Sequence, residues 1–249
     1  MVRLRVRDLP TAEEFYTGKL GFHTSARGPD HALLSCAPDS PPLLELTGDP
    51  AAEPSPPECA GLFHVAVLLP GRSEFANWVR HAAKAGVEFD GFADHGVSEA
   101  AYLADPEGNG LEFYRDRPRA QWPFRDGRLA MTTLPLDVRG LLADASTKDE
   151  QPLAGAGWGH LHLSVTDLAR SQEFYQRELG LTCTQDDYPG ARFLAAGGYH
   201  HQVAINVWRR ARLPWRKDGA GLAAVVFSSG ETPVRERQDP DGIPLLVRG

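Results

Sequence analysis

The chain has 249 residues, 33 acidic and 26 basic, giving a formal net charge of −7 and a pI near 5.7. That length allows one large or two modest domains, and an acidic balance without a Lys/Arg cluster excludes a nucleic-acid footprint. Three cysteines at irregular spacing (Cys36, Cys59, Cys183) form neither a disulfide framework nor a CxxC pair, and no apolar run approaches ~18 residues. The opening residues lack the n-region and h-region of a signal peptide. The expectation is a cytoplasmic protein with neither a membrane nor a nucleic acid as partner.

Along the chain one pattern recurs. Residues 2–9 alternate as a strand does, with Val2, Leu4 and Val6 against Arg3, Arg5 and Arg7. An Asp8-Leu9 turn then leads into an amphipathic helix that carries Phe15-Tyr16 and stops at Leu20-Gly21. The Pro/Glu/Ser-rich stretch 49–58 separates this unit from a looser copy, with a strand over 62–69 and a helix over about 73–85 stopped by Gly86. That copy closes on Asp105-Pro106-Glu107-Gly108-Asn109-Gly110, dense turn chemistry between the apolar runs 100–103 and 111–114, which reads as a β-hairpin. On its second strand Leu111 and Phe113 share one face and Glu112 points to the other. A carboxylate in that position is costly to bury unless it is paired or binds a metal.

Residues 115–157 are polar and proline-bearing, with a short helical stretch over 138–145. A third copy follows: an alternating strand over 160–166, Asp167-Leu168, and a helix carrying Phe174-Tyr175 that stops at Leu179-Gly180. The strand 222–227 opens a fourth. Its tail, Asp239-Pro240-Asp241-Gly242, echoes the earlier hairpin turn, but too few residues lie between for a helix and three strands. Each full copy reads β-α-β-β-β, so the fold class is α+β, built of tandem modules with a truncated fourth. The modules fall at 1–48, 61–116, 158–208 and 219–249, in two sequence pairs, 1–116 and 158–249, joined by the linker 117–157.

This four-fold repeat resembles the vicinal oxygen chelate superfamily, which includes glyoxalase I, bleomycin- and fosfomycin-resistance proteins and extradiol dioxygenases. Within it the nearest likeness is to bacterial four-module proteins of the catechol-2,3-dioxygenase type. The resemblance implies two cup-shaped mixed sheets with helices outside. In such proteins paired modules curl around a divalent metal, with ligands on the first and last strands of each module. The matching positions here are Met1, His64, His160 and Leu222 or Ala223 on first strands, and Glu45, Glu112, Asn206 and Leu246 on last strands. Copy four supplies no ligand. If copies two and three pair, the ligands are His64, Glu112 and His160, a set that holds non-haem Fe(II) with open positions, Mn(II) being the alternative ion. Copies one and four would then form a metal-free scaffold, in keeping with Met1 at a ligand position and the charged strand of Arg3, Arg5 and Arg7.

The same resemblance marks supporting groups. Gly197-Gly198-Tyr199-His200-His201-Gln202-Val203 matches a family His-His pair, which makes His201 the acid–base residue with His200 beside it. Tyr102, ten residues before Glu112, matches a family tyrosine, and His95 matches a family histidine more loosely. The implied activity is Fe(II)-dependent extradiol cleavage of catechol or a substituted catechol by O₂, giving a 2-hydroxymuconic semialdehyde-type product, in a chain that can form a homo-oligomer. Two alternatives stand beside it. A glyoxalase-like metal-dependent isomerase would pair copies one and two through Glu45, His64 and Glu112, with Met1 where a fourth ligand belongs. A metal-free aromatic-binding resistance protein would be indifferent to chelator and to His64→Ala.

Overall fold

The structure, a computed structural model, describes residues 1–146, 151–228 and 235–248. Module one contributes β1 (Val2–Val6), α1 (Leu9–Glu14), β2 (His23–Arg27), β3 (His31–Ser35) and β4 (Leu44–Gly48). Module two contributes β5 (Gly61–Leu69), α2 (Arg72–Lys84), β6 (Gly91–Asp94), β7 (Ser98–Ala104) and β8 (Gly110–Asp116). The linker carries two short strands, β9 (Phe124–Arg125) and β10 (Arg128–Leu129), then β11 (Leu134–Pro135) and α3 (Val138–Ala143). Module three runs β12 (Gly157–Ser164), α4 (Leu168–Leu179), β13 (Thr182–Gln185), β14 (Ala191–Ala195) and β15 (Val203–Asn206). Among the described residues module four has three strands, β16 (Gly221–Ser228), β17 (Arg235–Gln238) and β18 (Pro244–Arg248).

Local chemistry sets the module boundaries. Asp8 Oδ1 accepts from the Thr11 backbone N–H at 3.0 Å, and Asp167 Oδ1 accepts from that of Arg170 at 3.0 Å, so both Asp-Leu turns cap their helices. Gly180 ends α4 in the left-handed conformation at φ 65°. The first helix is shorter than its pattern suggests: α1 stops at Glu14 and a wider π turn, Phe15–Lys19, continues to Leu20. The hairpin turn forms as read, Asp105 N–H donating to the Asn109 carbonyl at 3.0 Å and Asp105 Oδ1 accepting from the Asn109 N–H at 2.8 Å.

Two sheets result. A nine-stranded sheet runs β11-β6-β7-β8-β5-β12-β15-β14-β13 and combines modules two and three; a seven-stranded sheet runs β17-β18-β16-β1-β4-β3-β2 and combines modules four and one. In each, the first strands of two modules meet antiparallel, β5 on β12 and β1 on β16. The division of the chain into 1–116 and 158–249 therefore follows sequence order, whereas each sheet takes one module from each half. The linker is also more than a connection, because β11 extends the nine-stranded sheet along β6.

Modules adjacent in sequence are tied by side chains instead. The Tyr16 hydroxyl donates to Asp105 Oδ2 at 3.0 Å, and the Tyr175 hydroxyl donates to Asp239 Oδ2 at 2.9 Å. Each bond joins a helix-borne tyrosine to the hairpin turn of the next module, so the echo between the two turns is a structural equivalence. Trp78 of α2 stacks on Phe113 at 3.7 Å between ring centres and donates its Nε1–H to the Leu20 carbonyl at 3.1 Å, closing the core between modules one and two.

Each buried tyrosine–aspartate bond is expected to carry stability. Tyr16→Phe leaves Asp105 short of a donor and should cost roughly 1–3 kcal/mol in urea unfolding. At the second turn the sign of a pH effect follows. Burial pushes the Asp239 carboxyl up to about 6 from a usual 3.8, against the Ile243 N–H and Tyr175 hydroxyl, which favour ionisation. The folded state thus holds this proton more tightly than the unfolded chain, so its contribution is full below the usual value and is lost as pH rises through about 6. Unfolding curves across that window should show Asp239→Asn gaining on the wild type as pH rises; a constant difference would refute the assignment.

Candidate metal centre

The nine-stranded sheet places three polar side chains on one buried spot. His64 lies on β5, His160 on the neighbouring β12, and Glu112 on β8, which runs parallel to β5 with Glu112 opposite Ala66. Close backbone approach makes this possible. A Cβ at Gly110 would collide with the Phe63 carbonyl, and one at Gly159 would collide with the Tyr114 ring beside His160. Glu112 Oε2 stands 2.8 Å from His64 Nε2 and 3.0 Å from His160 Nε2, and the two imidazole nitrogens are 3.3 Å apart. All three residues are buried.

This donor set fits a divalent ion. Adjacent donors of a six-coordinate ion, each about 2.1 Å from it, stand about 3 Å apart, so the triangle of side chains has the size of one face of an octahedron. Charge fits as well. Burial pushes His160 down to about 4. Burial would raise the Glu112 carboxyl, but the adjoining His160 and His64 imidazoles hold it well below the usual carboxylate range. A neutral imidazole at His160 and an anionic carboxylate are the protonation states a metal needs of its ligands. His64, Glu112 and His160 are the residues that could hold such an ion.

A cavity of about 600 Å³ opens on this triangle. One wall carries Tyr102, which lies opposite Glu112 on β7, and His95. The Thr132 carbonyl, 2.7 Å from His95 Nδ1, fixes the His95 proton on that nitrogen, so His95 Nε2 accepts from the Tyr102 hydroxyl at 2.7 Å. Burial, with the Glu112 carboxylate nearby, pushes the Tyr102 hydroxyl well above its usual range and keeps it a phenol. The opposite wall carries His201, whose ring centre is 4.1 Å from that of His160. Burial holds His201 well below the usual histidine range, so it stands neutral. His200 is buried behind it, outside the cavity lining, with its Nδ1 2.7 Å from His201 Nδ1.

Several lining groups escaped the sequence reading. His162, two residues beyond His160 on the same strand face, is buried with its ring 4.8 Å from that of His64. Phe63, Phe193, Tyr188 and Trp208 form an aromatic wall, and Met131, Thr132 and Thr133 of the linker close one side. The period-two signal that marks His160 marks His162 equally. Nothing in the sequence told that the linker would fold over the cavity. Glu45, by contrast, is not brought to this spot. It lies on β4 of the other sheet, ion-paired to Arg3 at 2.8 Å and lining a separate cavity of about 1180 Å³. The isomerase ligand set of Glu45, His64 and Glu112 is therefore not assembled.

Comparison with known proteins accords with this architecture. A family profile described as the Glyoxalase/Bleomycin resistance protein/Dioxygenase superfamily matches residues 1–113. The chain is 38% identical over 217 residues to a catechol-2,3-dioxygenase of Bacillus subtilis (strain 168), a match covering 85% of this chain and 75% of the relative. Among solved structures, a Bacillus subtilis protein provisionally described as a dioxygenase superposes with a TM-score of 0.63 at 12% identity, covering 99% of this chain and 83% of that one. Glyoxalase I from Zea mays superposes at 0.59 with 16% identity, covering 99% and 90%. These structural likenesses concern the fold alone. Together with the sequence relative, the profile and the paired β-α-β-β-β modules show that this chain belongs to the glyoxalase/bleomycin resistance/dioxygenase superfamily.

Proposed function

We propose that the protein is an Fe(II)-dependent extradiol dioxygenase that cleaves catechol or a substituted catechol with O₂, giving a 2-hydroxymuconic semialdehyde-type product. The observation that carries this reading is the convergence of His64 Nε2, His160 Nε2 and Glu112 Oε2 at 2.8–3.3 Å on one wall of an aromatic cavity. Two imidazoles and one carboxylate leave half the coordination sphere of an iron open, which suits a substrate that binds through two oxygens together with O₂. The relative's name points the same way. When bound there, Fe(II) supplies electron transfer between the diol and O₂ and lowers the pKa of the diol hydroxyls.

The chain's own groups do the rest. Phe63, Phe193, Tyr188 and Trp208 offer faces and edges to a planar ring and exclude water from it. His201, neutral and buried beside His160, accepts the proton that a chelating catechol must lose. The Tyr102 hydroxyl, 2.7 Å from His95 Nε2 and close to the Glu112 carboxylate, stands where it can hydrogen-bond a substrate hydroxyl and orient the diol. No helix among the described residues is long and apolar enough to cross a membrane.

The test is anaerobic loading with Fe(II), removal of unbound metal, and addition of catechol in air. A yellow product and one iron per chain are expected; tight aromatic binding unaffected by chelator, with no product, would indicate a binding protein instead. His64→Ala, Glu112→Ala and His160→Ala should each abolish iron retention and turnover. His201→Phe should keep the iron and lower kcat by about 10²- to 10⁴-fold, the range of a missing acid–base group. An unchanged kcat in that variant would remove His201 from the chemistry.

A further inference from the structure

Behind His201 a row of hydrogen-bonding groups leads out of the cavity. His201 Nδ1 lies 2.7 Å from His200 Nδ1, and His200 Nε2 lies 2.9 Å from Asp116 Oδ1. Asp116 Oδ2 accepts from the Tyr199 hydroxyl at 2.9 Å, and the Tyr199 and Tyr114 hydroxyls are 2.9 Å apart. His200 is fully buried, with its ring centre 4.0 Å from that of Tyr199 and 5.3 Å from that of Trp122. The Asp116 side chain is 26% exposed, so the row begins at the cavity wall and ends at the surface.

The chemistry of the partners fixes the protons. Carboxylate oxygens only accept, so His200 donates Nε2–H to Asp116, and the imidazole tautomer that does so presents a bare Nδ1. The short contact between the two Nδ1 atoms requires one donor, which must then be His201 Nδ1–H. His201 Nε2 is left without a proton, as the nitrogen free to act as a base toward the cavity. We propose that Asp116 is a positioning residue that sets the tautomer of His201 through His200, and that this row moves the substrate proton's charge away from the metal centre. As a substrate O–H bond breaks and His201 Nε2–H forms, His201 Nδ1–H breaks and His200 Nδ1–H forms. One proton has entered, and its positive charge rests on His200 against the Asp116 carboxylate. The His200 ring is 6.3 Å from that of His160, against 4.1 Å for His201, so the charge ends farther from the His160 imidazole. This role for Asp116 rests on the ring-cleavage reading, in which His201 accepts the proton.

The tautomer can be read without turnover. Nitrogen-15 NMR of histidine-labelled protein, as isolated and after loading with zinc as a diamagnetic stand-in, should show His201 protonated on Nδ1 and bare on Nε2. In Asp116→Ala the Nε2–H tautomer should gain, and in iron-loaded enzyme kcat for catechol should fall about 10- to 100-fold, as for other outer-shell partners, with little change in KM. A wild-type His201 protonated on Nε2 would overturn the proposal, as would an Asp116→Ala variant whose tautomer and kcat match the wild type. Should Asp116→Ala not fold, Asp116→Asn keeps the shape without the charge. A lowered kcat is expected from it, and an unchanged kcat overturns the proposal. A protein with the expected tautomer but no ring cleavage refutes the proposed reaction and leaves the link from Asp116 to His201 intact.

Discussion

Strands β5 and β12 lie antiparallel at the centre of the nine-stranded sheet, and the candidate centre depends on that seam. Each strand alone offers a histidine on an apolar surface, which burial would leave as an isolated polar group. The seam sets His64 directly opposite His162 and brings His160 within 3.3 Å of His64 through the bulged register. Parallel pairing of β5 with β8 then delivers Glu112 to the same point. A buried ionised carboxylate beside the His160 imidazole, which burial keeps neutral, is better satisfied when a cation shares it. The cavity therefore has the electrostatics of a cation site before any ion arrives.

The two sheets share a plan and differ at the ligand positions. Where modules two and three carry His64, Glu112 and His160, the seven-stranded sheet carries Met1 and Glu45, the latter neutralised by Arg3. The seam of β1 with β16, together with the Tyr16–Asp105 and Tyr175–Asp239 bonds, holds the four modules in one body. A hydroxyl donating to a buried carboxylate satisfies a group that would otherwise oppose folding, so these two bonds fix how consecutive modules meet.

The linker gives the site its depth. Trp122 packs against His200 and Tyr199 and donates its Nε1–H to the Arg117 carbonyl at 2.9 Å. The Thr132 carbonyl sets the protonated nitrogen of His95 and, through it, the direction of the Tyr102 hydroxyl.

The repeated strand–helix–strand pattern, the capping aspartates, the hairpin turns and the metal-ligating residue types were legible in the sequence, because they rest on short-range periodicity and on local turn chemistry. The matched positions of His64, His160 and Glu112 were legible through the resemblance to the family, which implies where on each module a ligand would sit. Tertiary structure decided the rest. Glu45 and Glu112 occupy equivalent places in their modules, yet only the strand order sends one to the triangle and the other to an arginine in a different sheet. Asp116 and Trp122 carry no local signature, since their roles depend on contacts across 84 residues from Asp116 to His200 and on a linker whose composition marks only a loop. Local sequence specifies which face of an element a side chain takes, whereas which faces meet is set by burial of the whole sheet.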